Sequence, residues 1–151
     1  MPKHYLFALL LTMLVLAGGC ESSPFGQSAT EVPFARFTAE DVFNGFSQAG
    51  LQADNVTRDM LMGREAPNSF SDRYVFEIPR IAPLGGQVLI FDTPEAMGEW
   101  IAFIERLRAD PDTRRDVVYV YPFANVMIQV NAGLYPDEAN AFREALYALG
   151  A

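Results

Sequence analysis

The chain has 151 residues, of which 50% are hydrophobic and 13% aromatic, with 11 basic against 19 acidic side chains and a net charge of −8. That apolar content is enough to offset the ordering entropy of one domain core, which excludes global disorder. The acidic balance without a basic run excludes a phosphate-backbone partner, so no nucleic acid is expected. The single Cys, His and Lys all stand in the first twenty positions (Cys20, His4, Lys3), leaving the rest with Arg, carboxylates and hydroxyls to act with.

Met1 to His4 is a short polar start with one firm cation, Lys3, and Tyr5 to Ala17 is apolar except for Thr12. The run is short of the roughly 20 residues a membrane span needs, and has the length of a secretory h-region. Leu16-Ala17-Gly18-Gly19-Cys20 resembles the lipobox of bacterial lipoproteins, with small residues directly before the Cys. It departs in carrying Ala17 three places before the Cys, where the family more often has Leu. The resemblance implies cleavage before Cys20 and lipidation of its thiol, palmitate included. Buried acyl chains, at about 0.8 kcal/mol per CH₂, would then hold the protein to a bilayer. Residues 1–19 are therefore expected to be a signal peptide. The expected location is extracytoplasmic, lipid-anchored at the cell membrane or the outer membrane. Glu21, in place of the Asp that retains such proteins in an inner membrane, leans toward the latter.

Residues 20–36 are rich in Ser, Pro, Gly and Thr and show no periodicity, as in a flexible tether. Phe34 and Phe37 are expected to dock on the edge of a single domain spanning 37–151. Thr38-Ala39-Glu40-Asp41 is a helix start with a capping hydroxyl and acids in the first turn. Val42, Phe43, Phe46 and Ala49 supply its stripe and Gly50 its stop. Residues 51–72 give no clear element. Arg73 to Ile78 reads as a strand, Gly85-Gly86 as a turn, and Gln87 to Phe91 as a second strand apolar enough to be central. Thr93-Pro94-Glu95 opens a helix with the stripe Met97, Trp100, Ile101, Ile104 and Leu107, closed by Asp110-Pro111-Asp112. Val117 to Tyr121 and Asn125 to Val130 form a hairpin, and Pro136-Asp137-Glu138 opens a last helix that buries Ala139, Phe142, Leu146 and Leu149.

The expected order is α-β-β-α-β-β-α, an α+β fold with a four-stranded, mostly antiparallel sheet and helices on one face. From Phe37 to Ala148 the arrangement resembles a group of small, uncharacterised bacterial lipoproteins. The shared features are Thr38 to Val42 opening a first helix that ends in Ala49-Gly50-Leu51, the Gly85-Gly86 pair before an apolar strand, and Ile128 to Asn131 followed by a Pro136-led helix. The resemblance implies a fold and a location, and no activity.

Zinc sites, Ser-His-Asp and Cys-His catalysis all need residues the domain lacks, as does a P-loop, which needs Lys. Neither a metal nor a cofactor is expected. Asp110, Asp112 and Asp116 cluster, but Pro111 and Arg114-Arg115 interrupt them and no Gly stands at a calcium-loop turn, so they read as a solvated turn. Nothing in the spacing pairs Asp54, Asp59, Glu77 and Asp92 as two-acid hydrolysis requires. A carboxylate-based hydrolase is the least favoured reading, and a non-enzyme is expected.

Trp100 reads as core. Tyr119 and Tyr121 share one strand face. If Val118 and Val120 meet the helices, the tyrosines face outward; if not, they are core. The outward case groups Tyr119, Tyr121, Phe123, Met127 and Gln129 as a binding surface of interface-type residues. The first expectation is thus a lipid-anchored protein-interaction module whose partner is another envelope protein or a second copy. The alternative is a small-ligand or glycan binder with 51–72 as a lid, which a concave pocket lined by Arg58, Arg64 or Arg73 with aromatic walls would favour.

Overall fold

The structure is a computed structural model that describes residues 33–151. The expected signal segment, Cys20 and the tether up to residue 32 lie outside the described residues. Helix α1 (Ala39–Gln48) begins as expected in a capping box: the Thr38 hydroxyl accepts the Asp41 N–H, and Asp41 accepts the Thr38 N–H at 2.8 Å. It ends where Gly50, at φ 73°, turns the chain left-handed. The Gly50 and Leu51 N–H groups then close on the carbonyls of Ser47 and Phe46.

Five strands follow the order β1-β2-β3-β5-β4, every neighbouring pair antiparallel: β1 (Asp54–Arg58), β2 (Asp72–Glu77), β3 (Gly85–Ile90), β4 (Tyr119–Phe123) and β5 (Val126–Val130). The α+β class and both expected hairpins are present. β1 is a fifth strand, inside the stretch where the sequence shows no clear element. Its residues, Asp-Asn-Val-Thr-Arg, are all exposed, so no buried face leaves an alternation to read. Asn55 at φ 51° bulges this edge strand, as natural sheets often do to discourage further pairing.

Gly85 and Gly86 open β3 rather than forming a turn. A Cβ on Gly85 would fall 1.8 Å from the Phe76 carbonyl oxygen, and one on Gly86 2.7 Å from the Phe76 ring. The pair therefore exists to let two backbones and one ring close up.

The helices do not share one face. Strands β3 and β4 flank β5 and run parallel to each other, so α2 (Pro94–Ala109) crosses over the sheet between them. Met97, Trp100 and Ile104 of α2 pack on Leu89, Phe91, Met127 and Val120. On the other face α1 and α3 (Pro136–Ala148) cover Phe76, Val88, Ile90, Val126, Ile128 and Val130 through Val42, Phe46, Phe142 and Leu146. The correction has a simple cause. The central strands are apolar at successive positions (Val88-Leu89-Ile90-Phe91; Val126-Met127-Ile128), so both faces demand cover. Each such side chain contributes about 1.5–3 kcal/mol when buried.

Candidate functional site

α2 covers only part of its face. Beyond Leu89 and Met127 the same face continues as Val75, Gln87 and Gln129, in register across β2, β3 and β5. A polar chain runs over this floor. The Arg73 Nε donates to Gln87 Oε1 at 2.6 Å, Gln87 Nε2 to Gln129 Oε1 at 2.8 Å, and Gln129 Nε2 to the Asp116 carbonyl at 2.8 Å. Its direction is fixed at both ends, because a guanidinium only donates and a carbonyl only accepts, so neither amide can be reversed.

The segment 59–71, between β1 and β2, arches over the floor. Arg73 Nη1 holds it through the Asp59 carbonyl (3.0 Å), the Asp59 carboxylate (3.0 Å) and the Leu61 carbonyl (2.9 Å). Asp59 also accepts the Leu61 N–H. That bond, helped by Arg73, holds the Asp59 carboxyl below its ordinary 3.8 against the opposing effect of burial. Farther along, Met60, Met62 and Ala66 pack against α2, the Ser69 hydroxyl donates to the Ala96 carbonyl, and the Phe70 ring meets the Trp100 edge. Within the 51–72 stretch that the alternative reading takes as a lid, residues 59–71 are thus an ordered arch, tied at both ends.

Between arch, α2 and floor lies an open hollow of about 420 Å³, bordered by Met62, Trp100, Phe103 and Leu107, with Gln87 and Gln129 beneath and Arg64, Glu65 and Asp116 also in its lining. A second hollow of about 250 Å³ adjoins it through the shared residues Gln87, Asp116 and Gln129, and includes Arg73 and Gly85. Trp100 is 1% exposed, as its core reading predicts, but its indole N–H has no acceptor among the described residues. A buried donor left unpaired in this way is uncommon and costly.

The five residues grouped as a binding surface do not form one. Tyr119, Tyr121 and Phe123 lie half-buried on the α1/α3 side, where Phe123 meets Phe37 at 5.9 Å and Tyr147 at 5.3 Å, and Arg143 stands 6.0 Å over Tyr121. Burial pushes the Tyr121 hydroxyl above its ordinary 10.0, with Arg143 opposing. Met127 and Gln129 face the other way, and Met127 is buried under α2. The reason is register: Tyr121 opposes Ile128 and Phe123 opposes Val126, while Met127 opposes Pro122. Of the five only Gln129 reaches the cavity. Arg64 and Arg73 border the two hollows, whereas Arg58 sits apart on β1, paired with Asp72 at 2.6 Å. Gln87 escaped the sequence reading. Its signal was a pair of amides, Gln87 and Gln129, each set in an otherwise apolar strand.

Two of the acids weighed above bond locally. Glu77 accepts from Asn55 Nδ2 at 2.9 Å, and Asp110 accepts the Asp112 N–H at 2.9 Å to close its turn. Among the described residues no group of three or more His, Cys, Asp or Glu is placed to hold a metal ion. No helix among the described residues is long and apolar enough to cross a membrane. No protein-family model, no curated protein and no solved structure matches the chain.

Proposed function

We propose that this chain is a lipid-anchored, extracytoplasmic protein that binds a small ligand, without catalysis, in the cavity between α2 and the 59–71 arch. The observation that carries the reading is the amide chain Gln87–Gln129, a polar device laid across an otherwise apolar face and opening into an aromatic-walled cavity. Sites for small ligands are typically apolar hollows of 300–1,000 Å³ with a few placed polar groups. The entry of the chain into the domain leaves the hollow clear of the attachment. The side chain of Asn125, at the β4–β5 turn, accepts the Arg36 and Phe37 N–H groups and donates to the Phe37 carbonyl. Gln129 stands four residues along β5, about 13 Å from that attachment.

A melting screen of the full chain against a library of neutral and charged small compounds tests the reading. Expected are compounds that raise the midpoint for the native chain and not for the Gln87→Ala or Gln129→Ala variants. Stabilisation by no compound, or stabilisation untouched by both variants, contradicts it. For the anchor, Cys20→Ser is expected to abolish palmitate labelling and release the protein to the soluble fraction, and persistent membrane association would sink that part.

A second reading has its own observation. Phe37, Phe123 and Tyr147 form an aromatic strip beside Tyr121 and Arg143, residue types that interface cores favour. Crosslinking in cells would support an envelope-protein partner or self-association if a specific adduct is lost in Tyr147→Ala. Equal recovery from that variant counts against it.

A further inference from the structure

The hollow beside α2 is one end of a longer trough. It meets the hollow of about 250 Å³ at Gln87, Asp116 and Gln129, and that one meets a third, of about 500 Å³, at Val75. The third lies toward β1 and includes Asn55, Thr57, Glu77 and Pro83. Register puts all three on one face of the sheet: Thr57 opposes Val75, Val75 opposes Gln87, and Gln87 opposes Gln129. The trough therefore crosses β5, β3, β2 and β1, and three strand spacings make it roughly 14 Å from Gln129 to Thr57. That is longer than a single sugar ring or other small compound.

Its polar groups define the ligand. Arg58 and Arg73 are paired with Asp72 and Asp59, which leaves Arg64 against Glu65, Glu77 and Asp116. That balance is mildly negative, so a polyanion is disfavoured and a cation is a competitor that the test must include. Neutral polar side chains outnumber the acids: Asn55, Thr57, Gln87, Gln129 and Asn131. Gln87 and Gln129 each keep one Nε2 hydrogen after the bonds along the floor. Asn131, whose Oδ1 accepts the Gly133 N–H, keeps both of its own. Amides donate and accept at once, and so does a hydroxyl, so a polyhydroxylated ligand satisfies them in both directions. An extended peptide fits less well. The backbones under the trough are paired with one another, so a peptide laid across them finds no free strand edge to extend.

On the reading of the α2 hollow as a ligand site, we infer that the ligand is a neutral oligosaccharide lying across the sheet from α2 to β1. The C–H face of one ring meets Met62, Phe103 and Leu107, the next meets the Gln87–Gln129 pair, and the far end reaches Asn55 and Thr57.

A glycan array of neutral, acidic and basic members is screened with the full chain, with tetralysine and spermine as cationic comparators. The length series of the best neutral glycan is then titrated by calorimetry. Binding is expected to be saturable and to tighten from the monosaccharide to the longer oligomers. About tenfold weaker binding is expected in Gln129→Ala at every length, the size of one lost hydrogen bond. Because Gln129 also braces the floor, Thr57→Ala is the second variant: the residue is exposed on an edge strand, so the fold is kept. It is expected to weaken the longest oligomer and to leave the shortest unchanged. A monosaccharide that binds as tightly as its oligomers, or Thr57→Ala without effect at any length, overturns the trough and leaves the hollow reading standing. Capture of tetralysine or spermine in place of every neutral glycan does the same. No saturable response to any glycan, cation or small compound overturns both.

Discussion

Two glycines separate packing from propensity at the level of single residues. Gly85 lies where an added Cβ would strike the backbone of the neighbouring strand, whereas Gly98, inside α2, has open space around it. Gly85→Ala is therefore expected to cost about 3 kcal/mol or more, since backbone must move. Gly98→Ala is expected to add about 0.5–1 kcal/mol through helix propensity. Urea unfolding of both variants checks the pair, and a neutral Gly85→Ala would refute the close approach. Much was legible at this scale. Thr38 caps α1, Thr93 caps α2 by accepting the Ala96 N–H at 3.2 Å, and Gly50 takes the left-handed turn. These are local bonds, made within three or four residues. Gly85-Gly86 was misread as a turn because the reason for it, the Phe76 ring and backbone on another strand, is not local.

Among the elements, the start of the 59–71 arch is held by one guanidinium. Arg73 joins β2 to β3 through Gln87 and to the arch through the Asp59 and Leu61 carbonyls, and its side chain is only 13% exposed. Arg73→Lys keeps the charge but not the fork, so one ammonium cannot stand in for both the Nε bond to Gln87 and the Nη1 bonds to the arch. A destabilisation of about 1–3 kcal/mol is expected, with faster proteolysis inside 59–69. An unchanged cleavage rate would show that Met60, Met62 and Phe70 hold the arch alone. Acid should reach the same joint. The Asp59 carboxyl lies lower in the folded chain than its ordinary 3.8, held there by the Leu61 N–H and by Arg73. Its contribution is thus complete above that ordinary value and fades as pH falls through the lower folded one. Hydrogen exchange at the Leu61 amide, followed from pH 6 to pH 3, is expected to lose protection only at the acid end. Loss near neutrality would contradict the assignment. β1 and the arch were illegible in the sequence for a shared reason. β1 buries no face, and the arch is held from outside, by Arg73 at its start and by α2 at its end, rather than by any period of its own.

For the whole molecule, the placement of helices on both faces was written in the unbroken apolar runs of β3 and β5, yet the crossover of α2 between two parallel strands became visible only with the strand order. The same order scatters Tyr119, Tyr121 and Phe123 away from Met127 and Gln129, and brings Gln87 beside Gln129 from 42 residues away. Long-range closure also rests on Asn125, 2% exposed, whose amide fastens residues 36 and 37 to the far end of the sheet. Asn125→Ala is expected to cost about 1–3 kcal/mol, by leaving those N–H groups unpaired, and to free the segment before α1. Thermal unfolding measures the first and amide exchange at Phe37 the second. An Asn125→Ala chain as stable as the native one would remove this link.

The account turns on the Gln87–Gln129 pair on the floor of the hollow, and the one tryptophan of the chain, in the lining of that hollow, reports on its occupancy. The prediction is that a compound which raises the melting midpoint also changes the Trp100 emission saturably in the native chain, and does neither in Gln129→Ala. Emission unmoved by every compound that raises the midpoint would contradict it.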